Sequence, residues 1–295
     1  MRILVIGRNG QLARELERLG APSGSTLEFA ARPQIDLAEP QTLAALVAER
    51  RPDLVINAAA YTAVDKAETE ADLAHLVNAE GPGALARACA KAGAALVHVS
   101  TDYVFDGSKA GPYLETDPIA PVNAYGRSKA AGEAAVLQSG ARAAVVRTAW
   151  VYSAEGANFV RTMLRLAETR EELGVVADQR GRPTWARDLA EAVLALGARL
   201  VAEDEAARGV FHFSNGGEAT WADFAEAIFE DSKARGGPSA RVRRITTAEF
   251  PTPAARPANS RLDTAKFTTV TGLTPRPWRE ALGLCLDELV GPKAR

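Results

Sequence analysis

Cysteine, histidine and methionine are scarce in this chain, at two, three and two among 295 residues. Two cysteines, Cys89 and Cys285, each inside an apolar helical pattern, exclude a disulfide framework; they read as small core residues in a reducing compartment. The histidines, His75, His98 and His212, are scattered and join no CxxC or HExxH pattern, so chemistry by a bound transition metal is not expected. Charge of one sign is also missing: the formal net charge is −2 and the pI about 6.0, which leaves no field to attract nucleic acid. The basic stretch from Lys233 to Arg244 reads as a solvated loop. No apolar run approaches the ~20 residues of a membrane span. MRILVIGRNG enters a short strand directly, without the basic-then-apolar run of a signal peptide, so a cytoplasmic protein with no membrane partner is expected. With 47% hydrophobic and 24% charged residues, disorder is not the default, and the length suits two domains or one α/β domain with an elaborated C-terminal part.

What is present is an alternation of strand and helix patterns. Arg2 to Ile6 is a short apolar run broken by Gly7, and Gln11 to Leu19 places Leu12, Leu16 and Leu19 on one helix face. Gly7, Gly10 and Ala13 form GxxGxxA in the turn between them. Residues without bulk there let a pyrophosphate sit on the amides of a helix N-terminus, where the dipole favours negative charge. A second strand, about Leu27 to Ala31, ends where an acidic residue would grip an NAD ribose. Arg32 stands there instead, with Asp36 and Leu37 following, and Arg8 lies in the glycine turn. Two guanidinium groups could surround a 2′-phosphate, favouring NADPH with NADH left open; the bland alternative is two solvated arginines.

A helix follows from about Pro40 to Arg50, then a buried strand from Leu54 to Ala60 whose small end residues leave room for a cofactor. A helix over about Asp72 to Ala92 carries Asn78, expected to bond a nearby backbone. Strand Ala95 to Thr101, helix Tyr125 to Gln138 and strand Ala143 to Tyr152 continue the alternation. Such an order predicts an α/β fold, a doubly wound parallel sheet with helices on both faces. After Tyr152 the pattern loosens into a helix at Asn158 to Glu172, a strand at Gly174 to Ala177, the polar loop DQRGRPT and a helix from Trp185. Then come a strand at Phe211 to Asn215, a helix capped by Thr220 whose aromatics read as core, and an edge strand in RVRRITT. PTPAARPANSRLD is a Pro-rich loop, and Trp278 to Leu289 closes the chain as a helix. Residues 1–150 are thus expected to form a dinucleotide-binding domain and 151–295 mainly a smaller α/β substrate-binding part, with some of 185–215 returning to the first.

The chemistry concentrates between Val97 and Lys129. An apolar strand ends at Ser100-Thr101, and Tyr125 and Lys129 sit four apart at the start of an Ala-rich helix, on one face. This suits carbonyl reduction: Thr101 can hold the carbonyl oxygen, Tyr125 can give the proton, and Lys129 can lower the Tyr125 pKa. A bare YxxxK is commonly a packed ring beside a solvated charge; the nucleotide-binding pattern upstream is what gives this one weight.

With the glycine turn, the NAAA strand end, STDYVFDG and YGRSK in this order, the chain resembles the extended short-chain dehydrogenase/reductases. NAAAYTAVDKAE, STDYVFDG, RTAWVY, DQRGRPT and RPANSRLD together are similar to the dTDP-4-dehydrorhamnose reductase family, from Met1 to about Leu289. The resemblance implies a Rossmann-type fold and reduction of the C4 ketone of dTDP-4-dehydro-β-L-rhamnose by a nicotinamide cofactor. By motif, Gly10, Gln11 and Leu12 would hold the pyrophosphate, Ala60, Tyr61 and Thr62 would border the cofactor, and Val99 would lie beside the nicotinamide. Tyr125 and Lys129 would touch cofactor as well as act in a triad with Thr101, Thr101 and Asp102 would meet the sugar, and Trp150 would pack on it or else be a core aromatic. Some relatives are described as dimers bridged by Mg²⁺ through glutamates. The matching positions here are Glu15, Arg187 and Glu288, and a guanidinium cannot ligate a cation, so no metal site is expected and a homodimer is left open. Two rival readings remain. One is another nucleotide-sugar reductase or epimerase on the same scaffold; the other is a non-catalytic subunit resembling the regulator of methionine adenosyltransferase, against which the intact Thr101, Tyr125 and Lys129 argue.

Overall fold

A computed structural model describes residues 1–292. Its N-terminal half runs β1 (Arg2–Ile6), α1 (Gln11–Leu19), β2 (Thr26–Ala30), α2 (Leu43–Arg50), β3 (Leu54–Asn57), α3 (Ala71–His75), α4 (Gly81–Ala92), β4 (Ala95–Thr101), α5 (Ala124–Leu137) and β5 (Arg142–Thr148). Beyond it come β6 (Val151–Tyr152), α6 (Phe159–Ala167), β7 (Glu172–Val176), β8 (Arg180–Gly181), β9 (Thr184–Trp185) and α7 (Ala186–Val201). The chain then forms β10 (Gly209–His212), β11 (Ala219–Thr220), α8 (Trp221–Lys233), β12 (Arg241–Ile245), α9 (Ala265–Thr271) and α10 (Trp278–Leu289).

Six parallel strands make the central sheet, in the order β10-β5-β4-β3-β1-β2. Alternate residues of each strand feed opposite cores, as the two-residue period requires. Ile3, Val5, Leu54 and Ile56 pack on one face with α1 and α7, through Leu12, Leu16, Leu189 and Val193. Leu4, Ile6, Val55 and Leu96 pack on the other with α2, α4 and α5, through Leu43, Val47, Leu85 and Val136. The doubly wound parallel sheet expected from the strand-helix alternation is therefore present. The chain leaves β1 toward β2 on one side and returns to β3 on the other, so the crevice at the carboxyl ends of β1 and β3 is the switch point where such sheets take ligands. A second core, built on Tyr152, Leu164, Phe224, Trp278 and Leu286, holds α6, α8 and α10 together beyond the sheet.

Several expected elements change in detail. β3 stops at Asn57 instead of running to Ala60, because the Asn57 side chain turns back to accept from the Ala59 amide at 3.3 Å and to bond His98 Nδ1 at 3.0 Å. The helix over 72–92 is interrupted by a π-helical turn, Leu76–Glu80. Asn78 sits in it and bonds no neighbour: it takes the Tyr61 amide at 2.8 Å and donates to the Tyr61 carbonyl and Ser128 Oγ, both at 3.0 Å, so the bulge links α5 to the loop after β3. The strand expected to reach Tyr152 ends at Thr148, and β6 pairs with β9 outside the main sheet. Helix α9 has no counterpart in the sequence reading. Within the basic stretch the edge strand expected in RVRRITT forms, Arg241–Ile245 pairing in parallel with β7, whereas Arg235 is not solvated: its guanidinium is buried against Asp231, Asp287 and the Gly283 carbonyl. Cys89 and Cys285 are both free and fully buried, and burial pushes the Cys89 thiol up to about 12. Among the described residues, no helix is long and apolar enough to cross a membrane.

Candidate active site

The carboxyl ends of β1, β3, β4 and β5 open into a crevice of about 420 Å³. Gly7, which begins the β1 turn without itself lining the crevice, has φ 109°, and a Cβ there would lie 3.3 Å from the Ala59 amide nitrogen, so the turn needs glycine both for its conformation and for the close pass of the β3 loop. Gly10 begins α1 with no side-chain cap, which leaves the first helix amides to other acceptors. Gly10, Gln11, Leu12, Ala60, Thr62, Val99, Thr101, Asp102, Tyr125, Lys129 and Trp150 all line this one space, from five separate stretches of chain. Gln11 Oε1, Asp102 Oδ2 and Thr148 Oγ1 line it too, each buried and without a hydrogen-bond partner. Buried polar atoms are normally paired, so three orphans around one cavity mark where a ligand supplies the missing partners. Free helix amides and small residues at the β1 turn fit the pyrophosphate of a dinucleotide.

Other residues singled out from the sequence stand outside the crevice wall. The Arg32 side chain is 80% exposed and 3.9 Å from Asp36, and Arg8 reaches Glu17 at 3.3 Å. Leu37 is buried under Gly81, and Tyr61 turns its hydroxyl outward to Glu70 at 2.6 Å. Conversely, the crevice takes residues that pattern reading passed over. Thr148 lies in register with Thr101 on the next strand, and its place at a parallel strand's carboxyl end was the available signal. Leu189 arrives from α7, for which no local signal exists.

The reacting face is assembled by α5. Asn123 caps the helix by accepting the Gly126 amide at 2.7 Å and holds the Ala255 carbonyl at 2.8 Å, while Glu68 takes the Ala124 amide at 2.7 Å. Tyr125, one residue inside, meets the edge of Tyr103 with ring centroids 5.6 Å apart. Burial raises its phenol well above the ordinary 10; a hydrogen bond with Thr101 opposes this and the Asp102 charge adds to it. Thr101 Oγ1 donates its single proton to Asp102 Oδ1 at 3.0 Å. Burial lifts the Asp102 carboxyl to about 6, with the nearby Ser260 and Thr101 hydroxyls opposing the rise. Lys129, only 1% exposed, donates from Nζ to the Val99 carbonyl at 2.7 Å. Burial brings its ammonium down to about 8, with Glu133 pulling the other way. The Lys129 ammonium is turned to the Val99 carbonyl, and burial is the largest influence on the Tyr125 phenol.

Away from the crevice, Arg187 joins the two glutamates noted above, Nε to Glu15 at 3.0 Å and Nη1 to Glu288 at 2.6 Å, and Arg18 also reaches Glu288 at 2.7 Å. Guanidinium groups occupy the carboxylates that a bridging cation would need, so these residues do not fit a divalent metal.

The family profile described as the RmlD substrate binding domain matches residues 1–290. A dTDP-4-dehydrorhamnose reductase of Burkholderia thailandensis is 47% identical over 297 residues, covering 98% of this chain and 99% of that one. A crystal structure of the Clostridium acetobutylicum dTDP-4-dehydrorhamnose reductase superposes with a TM-score of 0.92 at 39% identity, covering 98% of this chain and 99% of that one. The corresponding Bacillus anthracis reductase, solved in complex with NADP, gives a TM-score of 0.90 at 37% identity, with coverage of 97% and 99%.

Proposed function

The chain belongs to the RmlD substrate-binding family of dTDP-4-dehydrorhamnose reductases, and from that premise we propose how its own residues carry the reaction. It is an NADPH-dependent oxidoreductase that reduces the C4 ketone of dTDP-4-dehydro-β-L-rhamnose to dTDP-β-L-rhamnose. The observation that carries this reading is the convergence of Thr101, Tyr125 and Lys129 on one crevice that begins at the β1 glycine turn. Gly7 and Gly10 admit the pyrophosphate, and Ala60, Thr62 and Val99 border the rest of the cofactor, which supplies the hydride when bound. Thr101 fixes the carbonyl oxygen. Tyr125, kept protonated by burial, gives that oxygen its proton. Lys129, still largely charged at neutral pH with its value near 8, holds the cofactor ribose side and offers positive charge to the phenolate left behind. Asp102 and Trp150 meet the sugar. The same-scaffold alternative, a reductase for another nucleotide 4-keto sugar, uses these residues identically and differs only in substrate.

The test is a panel of nucleotide 4-keto sugars assayed with NADPH and NADH. Arg8 and Arg32 are exposed at the cofactor's adenosine end with only surface carboxylates opposite them, free to turn onto a 2′-phosphate by charge-assisted bonds. NADPH is therefore preferred, and Arg32→Ala narrows the preference about tenfold. Equal kcat/KM for both cofactors in the unmutated protein sinks the assignment to Arg8 and Arg32. No turnover with any dTDP-4-keto sugar sinks the reductase reading itself.

Assembly should be indifferent to metal, since Arg187 already bridges Glu15 and Glu288 and repels a cation. Light scattering with and without EDTA gives one mass. A dimer that falls to monomer in EDTA and returns with Mg²⁺ refutes this.

A further inference from the structure

The DQRGRPT loop takes no part in the reaction described above, yet it meets the active site at Trp150. Trp150 has φ 50°, a left-handed conformation that a bulky residue adopts only when its surroundings impose it. Three contacts impose it here. The Thr184 amide donates to the Trp150 carbonyl at 3.1 Å and fixes the backbone. One face of the indole lies on Gly181: a Cβ there would come within 2.6 Å of Cζ2 and 2.8 Å of Nε1. The other face stacks on Trp221 with centroids 3.6 Å apart and planes 11° from parallel, and Phe159 backs Trp221 at 4.6 Å. Gly181 has no positive φ, so its backbone does not require glycine; only the indole does. Each jaw is itself anchored. Gly181 pairs with Ala219 across β8 and β11, and Thr220 caps α8 with a full capping box that sets Trp221 at the first helical position.

We propose that Gly181 and Trp221 form a clamp that positions the Trp150 indole for sugar-nucleotide binding, making both positioning residues for the reaction. This rests on the reading that Trp150 packs on the sugar. A flat ring held between a bare Cα and a second ring can slide only in its own plane, so its edge presents a fixed wall to the crevice. Fixing it before substrate arrives removes an ordering cost from binding, and the benefit falls on sugar nucleotide because the sugar is what Trp150 is read as meeting.

The experiment uses the full chain, with steady-state kinetics for Gly181→Ala, Trp150→Ala, the double variant, Trp221→Ala and Trp221→Phe. The methyl of Gly181→Ala displaces the indole by about an ångström, and KM for sugar nucleotide rises by up to roughly 10²-fold while KM for NADPH is unchanged. The double variant is no worse than Trp150→Ala, since the methyl then has nothing to displace. Trp221→Phe retains more sugar-nucleotide affinity than Trp221→Ala. Additive effects in the double variant, equal losses for cofactor and sugar, or an unchanged KM in both Gly181→Ala and Trp221→Ala overturn the clamp. Should Trp150→Ala itself leave KM unaltered, the reading of Trp150 as a sugar contact fails instead. The clamp is then judged on the exciton couplet of the stacked indoles in circular dichroism, which Gly181→Ala must weaken and whose persistence unaltered overturns it. Should Gly181→Ala not fold, Trp221→Ala and Trp221→Phe, which add no bulk, carry the same decision.

Discussion

Replacing Tyr125 by phenylalanine lowers kcat by roughly 10²–10⁴ and leaves cofactor affinity nearly intact. The phenol is buried, bonded to Thr101 and raised well above its ordinary value, so it stays protonated through the neutral range and is ready to give its proton as hydride arrives. Phenylalanine keeps the ring, its edge contact with Tyr103 and its place in α5, and removes only the acid. Steady-state rates with a hydride isotope effect check this. A variant that keeps a tenth or more of the rate, with hydride transfer rate-limiting, rules out the role and moves the proton to Thr101 or water. The sign of the pH dependence follows from the same environment. With Tyr125 protonated throughout, a fall in rate above neutrality reports the loss of the Lys129 ammonium as pH rises through about 8.

Replacing Glu133 by alanine costs about 3–5 kcal/mol of unfolding free energy. Its carboxylate is 3% exposed and its partner Arg147 is 4% exposed, one turn along α5 from Lys129. Arg147 grips it through Nε at 2.9 Å and Nη2 at 2.7 Å, and Ser100 donates to it at 2.6 Å. Alanine leaves a buried guanidinium with only the Phe105 ring, 5.0 Å away, and His212, whose ring is held neutral with its pKa near 3 by burial and by Arg147 itself. Replacing both partners, as Glu133→Leu with Arg147→Met, recovers most of the loss because no charge is then stranded. Urea unfolding of the two variants decides it. A single variant losing less than about 1 kcal/mol, the ordinary scale of an exposed pair, or a double variant as unstable as the single, shows that the pair is not carrying this load.

Much of this protein was legible from residues alone, for reasons of local periodicity. Short apolar runs in β1 and β4, helical spacing of Leu12, Leu16 and Leu19, and glycines at positions 7 and 10 are short-range patterns, and they point to a doubly wound sheet with its nucleotide turn. The Tyr125–Lys129 pair was visible because four residues make one turn of helix. What the sequence could not decide depended on contacts between distant segments. Asn78 looked like a local backbone partner and instead ties Tyr61 to Ser128, because a π-turn aims it across the fold. Lys129 and Tyr125 were visible as a pair, but the burial that raises the phenol and lowers the ammonium was not, since desolvation depends on what surrounds the helix and not on spacing along it. Gly181 looked like one more loop glycine until the indole of Trp150 was found lying on it. Spacing along the chain sets which side chains share a face. Only the packing of one segment on another sets their solvation and their orientation, and those two quantities decide pKa values and the shape of the site.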